Sequence, residues 1–290
     1  MLTYNQESYI DEAIRSVLLQ ECDFPFELVI GNDCSTDGTR ARCEAWLHKY
    51  PDRIVLINQP RNIGLARNFI ETYKYLRGEY VAICEGDDWW CSRYKLRRQV
   101  EWMDAHPDYS CCFHRVVNYY QDTDTKSLSN GGQKSELTIL DLASSNTISN
   151  VSALFRRGLF GELPEWMDQV STYDYAVHLM NAEYGPVHYM RRPMAVYRQH
   201  SAAIWSQAGA DKKWEIAASI RRLLIAYFKE REHCFPLSEE VCVRLQHGVD
   251  AIEKARLRSR ESVGRGNVPP PSLLSRIRAW VSRFVPVPRI

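Results

Sequence analysis

The sequence predicts an α/β fold, a mixed and mostly parallel sheet flanked by helices, with a C-terminal helical extension. Three observations predict it. Short apolar runs (FELVI at 26–30, IVLIN at 54–58, YVAIC at 80–84) alternate with segments of helical periodicity, the rhythm of βαβ units. Polar residues gather directly after two of these runs, Asn32-Asp33 after one and Glu85 to Asp88 after another, and open α/β sheets bind ligands at the carboxyl ends of their strands. Beyond these, residues 211–232 and 238–258 read as two successive helices.

Residues 6–19 carry Ile10, Ala13, Ile14, Val17 and Leu18 at helical spacing, which predicts a helix with one buried face. Ser35 and Asp37 offer caps to a helix over 38–49, and Asp37 is read as a cap or turn acid. Residues 64–77 read as a helix, and a further helix over 92–105 ends before Pro107. Residues 121–136 are polar and rich in Gly and Ser, so a mobile loop is expected there. Residues 138–205 are mixed in pattern, with a helix expected from Asp174. GRGNVPPPS (264–272) reads as a non-helical linker. The expected organisation is one α/β domain over 1–208, a helical extension over 209–262, and a Pro-rich linker with a basic tail over 263–290.

Composition narrows the function classes. The chain has 290 residues, 45% hydrophobic and 25% charged, enough for a sizeable core. The formal net charge of +1 gives no global pointer to nucleic acid. Charge is uneven, however: from Lys254 onward there are nine basic residues and one acid, so the tail is +8 and the rest −7. Nine cysteines without framework spacing read as reduced thiols of a cytosolic protein, and the absence of any C-x-x-C pair speaks against zinc. No signal peptide is read at the N-terminus, and no apolar run reaches the roughly 18 residues of a transmembrane helix.

Glu85, Asp87 and Asp88 crowd three carboxylates into four residues, which is unfavourable unless a cation or hydrogen-bond donors compensate. Hard oxygen ligands suit Mg2+ or Mn2+, and magnesium combines one or two carboxylates with substrate phosphates. A solvated acidic turn is the plain alternative; Trp89 and Trp90, two large rings in need of burial, weigh against it.

YVAICEGDDWW with KLRRQVEWMDAHPD resembles the metal-binding region of family 2 glycosyltransferases of the GT-A (Rossmann-like) fold. TYNQESYIDEAIRSVLLQ (3–20), ELVIGNDCSTDGT (27–39) and NIGLARNF (62–69) are similar to the same family, and the likeness spans roughly 3–205. The resemblance implies an inverting, metal-dependent transfer of a sugar from a UDP- or dTDP-sugar to a glycan or lipid-linked acceptor, as in surface polysaccharide assembly. It implies that Thr3, Tyr4, Asn5 and Glu7 line the nucleotide, that Asp33 is a uracil-type contact, and that Asn62 and Arg67 lie beside it. Arg67 pairing with Glu71 one turn later is the structural alternative. The acidic motif of the family is usually D-x-D-D; with Glu first, Glu85 is assigned to the ribose or to support behind the ligands, Asp87 to the metal, and Asp88 beside it. Asp174, in Tyr173-Asp174, stands where the family has its catalytic base, and a helix N-terminus favours negative charge. A plain N-cap aspartate is the alternative. In VYRQHSAAIWS, His200 resembles the histidine that joins the metal or diphosphate, with Arg198 as its companion and Trp205 nearby. Asn150, Ser152 and Arg156 fall on the acceptor side.

SLLSRIRAWVSRF (272–284) sets apolar residues on one helical face and arginines off it. This suits peripheral contact with the inner face of the cytoplasmic membrane, or docking on the enzyme body or a partner subunit. The family has an apolar strand of about five residues before Thr-Tyr-Asn, where this chain has only Met1 and Leu2, so a stunted first strand or a start assigned too far downstream is expected. Two other functions compete. A nucleotidyltransferase would want a Gly-rich basic loop near the N-terminus, which TYNQESY lacks. A non-catalytic nucleotide-sugar-binding or auxiliary subunit is the second alternative.

Overall fold

The structure, a computed structural model, describes residues 1–129, 131–201 and 208–264. Trp205, the linker beyond Gly264 and the amphipathic segment 272–284 lie outside the described residues.

The first layer is a parallel three-stranded sheet of β1 (Leu2–Thr3), β2 (Leu28–Asn32) and β3 (Ile54–Asn58), in that order. β1 has two residues and pairs Leu2 with Gly31 and Thr3 with Asn32. Between the strands run α1 (Ile10–Leu18) and α2 (Thr39–Lys49), and α3 (Leu65–Tyr73) follows β3. The predicted spacing on α1 holds: Ile10, Ala13, Ile14 and Val17 are buried on one face. α3 lies so close to β2 that a Cβ on Gly31 would stand 2.0 Å from Thr72 Oγ1. Asn68 Nδ2 donates to the Gly31 carbonyl there at 2.8 Å, so helix side chains rest directly on the strand backbone.

The second sheet has seven strands in the order β4–β9–β6–β10–β5, with β7 on β6 and β8 on β10. These are β4 (Tyr80–Ala82), β5 (Trp89–Trp90), β6 (Cys111–Tyr120), β7 (Thr125–Leu128), β8 (Glu136–Leu137), β9 (Leu154–Arg156) and β10 (Val187–Gln199). Only β6 and β10 pair in parallel here. The other described pairings of this sheet are antiparallel, so parallel order divides between the first sheet and the long β6–β10 ladder. The segment expected as a mobile loop contains a 3₁₀ turn (Gln121–Thr123) and β7. Asp124 makes the hairpin by adopting φ 47°, and all four residues of β7 are exposed, which is why the strand carries no hydrophobic signature. The two sheets touch where the Gly86 N–H donates to the Leu2 carbonyl at 3.0 Å.

α4 (Lys95–Ala105) packs below the turn that joins β4 to β5. α5 (Ile139–Ser144) opens with a capping box between Thr138 and Asp141. α6 (Asp174–Ala182) is buried along nearly its whole length. The predicted extension is a pair, α7 (Ala210–Glu230) and α8 (Ser238–Gly264). Leu224, Phe228, Val241 and Leu245 of this pair are fully buried in the same cluster as Val177 and Leu179 of α6, so the extension braces the element that carries Asp174. All nine cysteines are free. Among the described residues no helix is long and apolar enough to cross a membrane.

Candidate active site

The loops after β1 and β2 zip together at the carboxyl end of the first sheet. Asn5 holds φ 51° and Cys34 φ 56°, left-handed conformations costly for residues other than glycine and found where surroundings enforce them. Asn5 N–H donates to Ser35 Oγ at 3.0 Å, and Asn5 Oδ1 accepts the Thr36 N–H at 2.8 Å. Glu7 Oε2 accepts the Gly38 N–H and its own N–H donates to Asp37 Oδ2, so Glu7 is turned towards the start of α2. Asp37 also accepts the Thr39 N–H at 3.0 Å, the turn role read for it. Thr3 is buried, and Tyr4 is exposed at the rim.

Asp33 is 3% exposed, and both of its oxygens are engaged: Oδ1 accepts the Ile63 N–H at 2.7 Å and Oδ2 the Gly64 N–H at 2.9 Å. The residue expected to read the base therefore first builds the loop ahead of α3, where Gly64 takes φ 84°. Asn62 and Arg67 are exposed on that loop and helix. Arg67 lies 3.7 Å from Asp168, whereas Glu71 pairs with Lys74, so the expected Arg67–Glu71 alternative does not form.

The acidic turn follows β4. Gly86 is required there, since a Cβ would sit 2.3 Å from Gln6 Oε1 and 2.9 Å from Thr3 Oγ1. Asp87 Oδ2 meets His200 Nε2 at 3.2 Å, which joins the turn to the end of β10 as expected. His200 rests against the Tyr9 ring, centroids 4.7 Å apart, and its Nδ1 is buried without a partner. Asp88, expected beside Asp87 on a metal, is 3% exposed and accepts the Arg198 N–H through Oδ1 at 2.8 Å. That bond ties the turn to β10, so Asp88 acts as a strap. Burial, and after it the Asp87 charge, pushes its carboxyl well above the usual range.

Arg198 departs furthest from expectation. All three guanidinium nitrogens donate within the protein: Nε to the Asp87 carbonyl (2.8 Å), Nη1 to Gln121 Oε1 (3.1 Å) and Nη2 to Glu12 Oε2 (2.5 Å). The group also lies over the rings of Trp89 and Tyr9 at 4.5 and 4.8 Å. It is a clamp between α1, the acidic turn and β10, not an arm extended to a diphosphate.

Glu85 points the other way. Its Oε1 accepts the Tyr173 hydroxyl at 2.5 Å and Asn150 Nδ2 at 2.8 Å. Burial raises its carboxyl to about 7, against the pull of the Tyr173 hydrogen bond. Both of these partners engage Oε1, one of the two oxygens of the carboxylate. Asp174 follows Tyr173 as the first residue of α6, half-buried. The Tyr197 phenol on β10 is pushed up first by burial and then by the charges of Asp88, Asp87, Asp174 and Glu85. Ser152 is fully buried, and Arg156 donates to the carbonyls of Tyr109 and Met103.

Sequence reading named Asp87, His200 and Asp174 but missed Tyr9, Tyr173 and Tyr197, whose roles come from contacts between distant elements. Only Tyr173, next to Asp174, carried a signal in its position.

Among the described residues no group of three or more His, Cys, Asp or Glu is disposed to hold a metal. Asp87 and His200 form a two-donor pair, His200 with a free buried nitrogen and Asp87 beside a strained second carboxylate. A carboxylate oxygen and an imidazole fit Mn2+ or Mg2+ when phosphate and water complete the shell. The cavity of about 370 Å3 lined by Met1, Phe26, Leu28, Val81 and Leu154 is not lined by Glu85, Asp87 or Asp88.

Comparison with known proteins gives one family. The model described as Glycosyl transferase family 2 matches residues 1–163. The putative teichuronic acid biosynthesis glycosyltransferase TuaG of Bacillus subtilis is 30% identical over 257 residues, covering 87% of this chain and 94% of that protein. Two solved structures share the fold. One is S. aureus TarS 1-349 in complex with UDP-GlcNAc (TM-score 0.57, 20% identity, 77% of this chain). The other is the mannosyltransferase PcManGT of Pyrobaculum calidifontis in complex with GDP-Man and Mn2+ (TM-score 0.56, 18% identity, 98% of this chain and 79% of that one). This chain spans 65% of the length of that TarS chain. The fold is that of GT-A glycosyltransferases.

Proposed function

The chain belongs to glycosyl transferase family 2, and on that premise we propose that it moves a sugar from a UDP- or dTDP-sugar to a hydroxyl of a glycan or lipid-linked acceptor, with inversion. The reading is supported above all by the family match together with the geometry of the acidic turn: Asp87 meets His200, and Glu85 is tied to Tyr173, the residue before Asp174 at the head of α6. TuaG, by its name, works in teichuronic acid synthesis, and that supports an acceptor of the surface-polysaccharide class.

Asp174 takes the proton from the acceptor hydroxyl as its oxygen attacks the anomeric carbon. The bond from that carbon to the diphosphate oxygen breaks in the same displacement, and the nucleoside diphosphate leaves. Asp87 and His200 would hold Mg2+ or Mn2+, and the ion, when bound, would supply positive charge beside the diphosphate. Thr3, Tyr4 and the Asn5 loop border the nucleotide, and Asp33 fixes the loop bearing Asn62 and Arg67 beside it. Asp88 and Arg198 keep the acidic turn against β10.

The test is turnover of a panel of UDP- and dTDP-sugars with Mn2+ or Mg2+ by the full chain. Asp174→Asn should lower turnover by roughly 10²–10⁴-fold while UDP binding stays unchanged. Full turnover in that variant removes Asp174 as the base. Donor binding by the wild type without turnover on any glycan or lipid-linked acceptor favours an auxiliary binding subunit.

A further inference from the structure

We propose that Tyr173 is the positioning residue for the base, and that Glu85 is the anchor from which it hangs; the proposal rests on Asp174 being that base. Tyr173 is the N-cap residue of α6, and no side chain caps that helix end. Its carbonyl accepts the Val177 N–H at 3.0 Å, so the first turn, with Asp174 in it, is carried by Tyr173. The ring is 2% exposed and lies flat on Phe69 of α3, centroids 3.9 Å apart at 8°. Its hydroxyl donates to Glu85 Oε1, and Asn150 Nδ2 closes the triangle with 2.8 Å bonds to Glu85 Oε1 and Tyr173 Oη. Asn150 and Tyr173 lie 65 and 88 residues from Glu85, so three separate chain segments meet at one carboxylate oxygen.

The consequence is geometric. The turn that carries Asp87 and the helix that carries Asp174 are fixed to each other through one phenol. A base must meet the acceptor oxygen at hydrogen-bond distance, and a 1 Å misplacement costs on the order of 10²-fold in rate. The same contact gives position 85 a reason to be glutamate: an aspartate carboxylate would stop one methylene short of Tyr173.

Two variants of the full chain test this, using the nucleotide sugar that turns over best with Mn2+. Tyr173→Phe keeps the stack on Phe69 and removes the hydroxyl; Glu85→Asp keeps the charge and shortens the reach. Each should lower kcat roughly 10–100-fold, with donor KM within about twofold of wild type. The double variant should be no slower than the slower single, because both cut one link. Additive losses overturn the proposal. A raised donor KM in Glu85→Asp with kcat unchanged in Tyr173→Phe also overturns it and returns Glu85 to the donor. A second measurement needs no turnover: in Tyr173→Phe, amide exchange over residues 175–179 should quicken roughly tenfold while global stability holds. Unchanged exchange sinks the proposal. A wild-type chain inactive on every donor counts against glycosyl transfer, and the exchange arm still decides how α6 is held.

Discussion

Asp33 and Asp37, in the loop after β2, take their hydrogen bonds from backbone N–H groups, whereas Glu85 and Asp87, in the turn after β4, take theirs from side chains of distant elements. The difference shows in their protonation. Burial pushes the Asp37 carboxyl up, but the bonds from Thr39 and Glu7 together outweigh it and hold the group below its ordinary range. Glu85 is raised to about 7 by burial; Asp88, although it takes a backbone N–H as the loop acids do, is raised by burial and then by the Asp87 charge. The loop acids are satisfied by the fold itself, and their work is to shape it. The turn acids are held together at a cost that a cation or a proton relieves, as expected where charge is kept for chemistry.

The largest expected contrast comes from one alanine on each side. Asp87→Ala should weaken Mn2+-supported UDP binding by more than the roughly 10–100-fold typical of residues behind metal ligands. Without ligand its stability should stay within about 0.5 kcal/mol of wild type, because its carboxylate meets only His200. Asp33→Ala should do the reverse, costing about 2–4 kcal/mol in urea unfolding by leaving the Ile63 and Gly64 N–H groups unpaired. The UDP-induced rise in Tm, with and without Mn2+, checks the first half. An Asp33→Ala protein of full stability that no longer binds UDP would break the comparison, since Asp33 would then be a base contact and no loop-builder.

A smaller effect lies in the pH dependence. The folded pKa of Glu85 is raised, so its contribution to stability is complete below the unfolded value of about 4.5 and is lost as pH rises through about 7. The loss is on the order of 3 kcal/mol, from the linkage between pKa and stability. Glu85→Gln imitates the protonated form. It should therefore be more stable than wild type at pH 8, with the gap closing towards pH 4.5, in metal-free thermal melts. A gap of constant size across that range would mean that the Glu85 charge is already neutralised in the fold.

How much of this was legible in the sequence follows the same division. Local patterns carried the helices, the turn role of Asp37, the acidic turn after a strand, and an aspartate opening α6. The likeness of short motifs carried Asp87 and His200, which the fold does bring together. The Tyr173–Glu85–Asn150 triangle was not legible, because no periodicity links residues 65 and 88 positions apart. The engagement of Arg198 and Asp33 within the fold was not legible for a related reason. Type and position mark a residue as useful, but only the folded surroundings show that its donors or acceptors are already engaged. The β7 hairpin was missed because a fully exposed edge strand needs no apolar residues.

The smallest expected effect sharpens the comparison from the loop side. Asp37→Ala removes acceptors from the Thr39 and Glu7 N–H groups, which lie near the surface where water replaces them in part. The loss should be about 0.5–1.5 kcal/mol at pH 7. Its pH slope should oppose that of Glu85. The folded pKa of Asp37 is lowered, so its contribution is present above the ordinary carboxylate value and is lost as pH falls through the folded one. Wild type and Asp37→Ala should thus converge in acid, where wild type and Glu85→Gln also converge, and part company as pH rises, with Asp37→Ala falling below wild type and Glu85→Gln rising above it. Urea titrations of the three proteins between pH 3 and pH 8 read both signs at once. Two gaps of the same sign would mean that the acids of the loop and of the turn are held by one kind of environment after all.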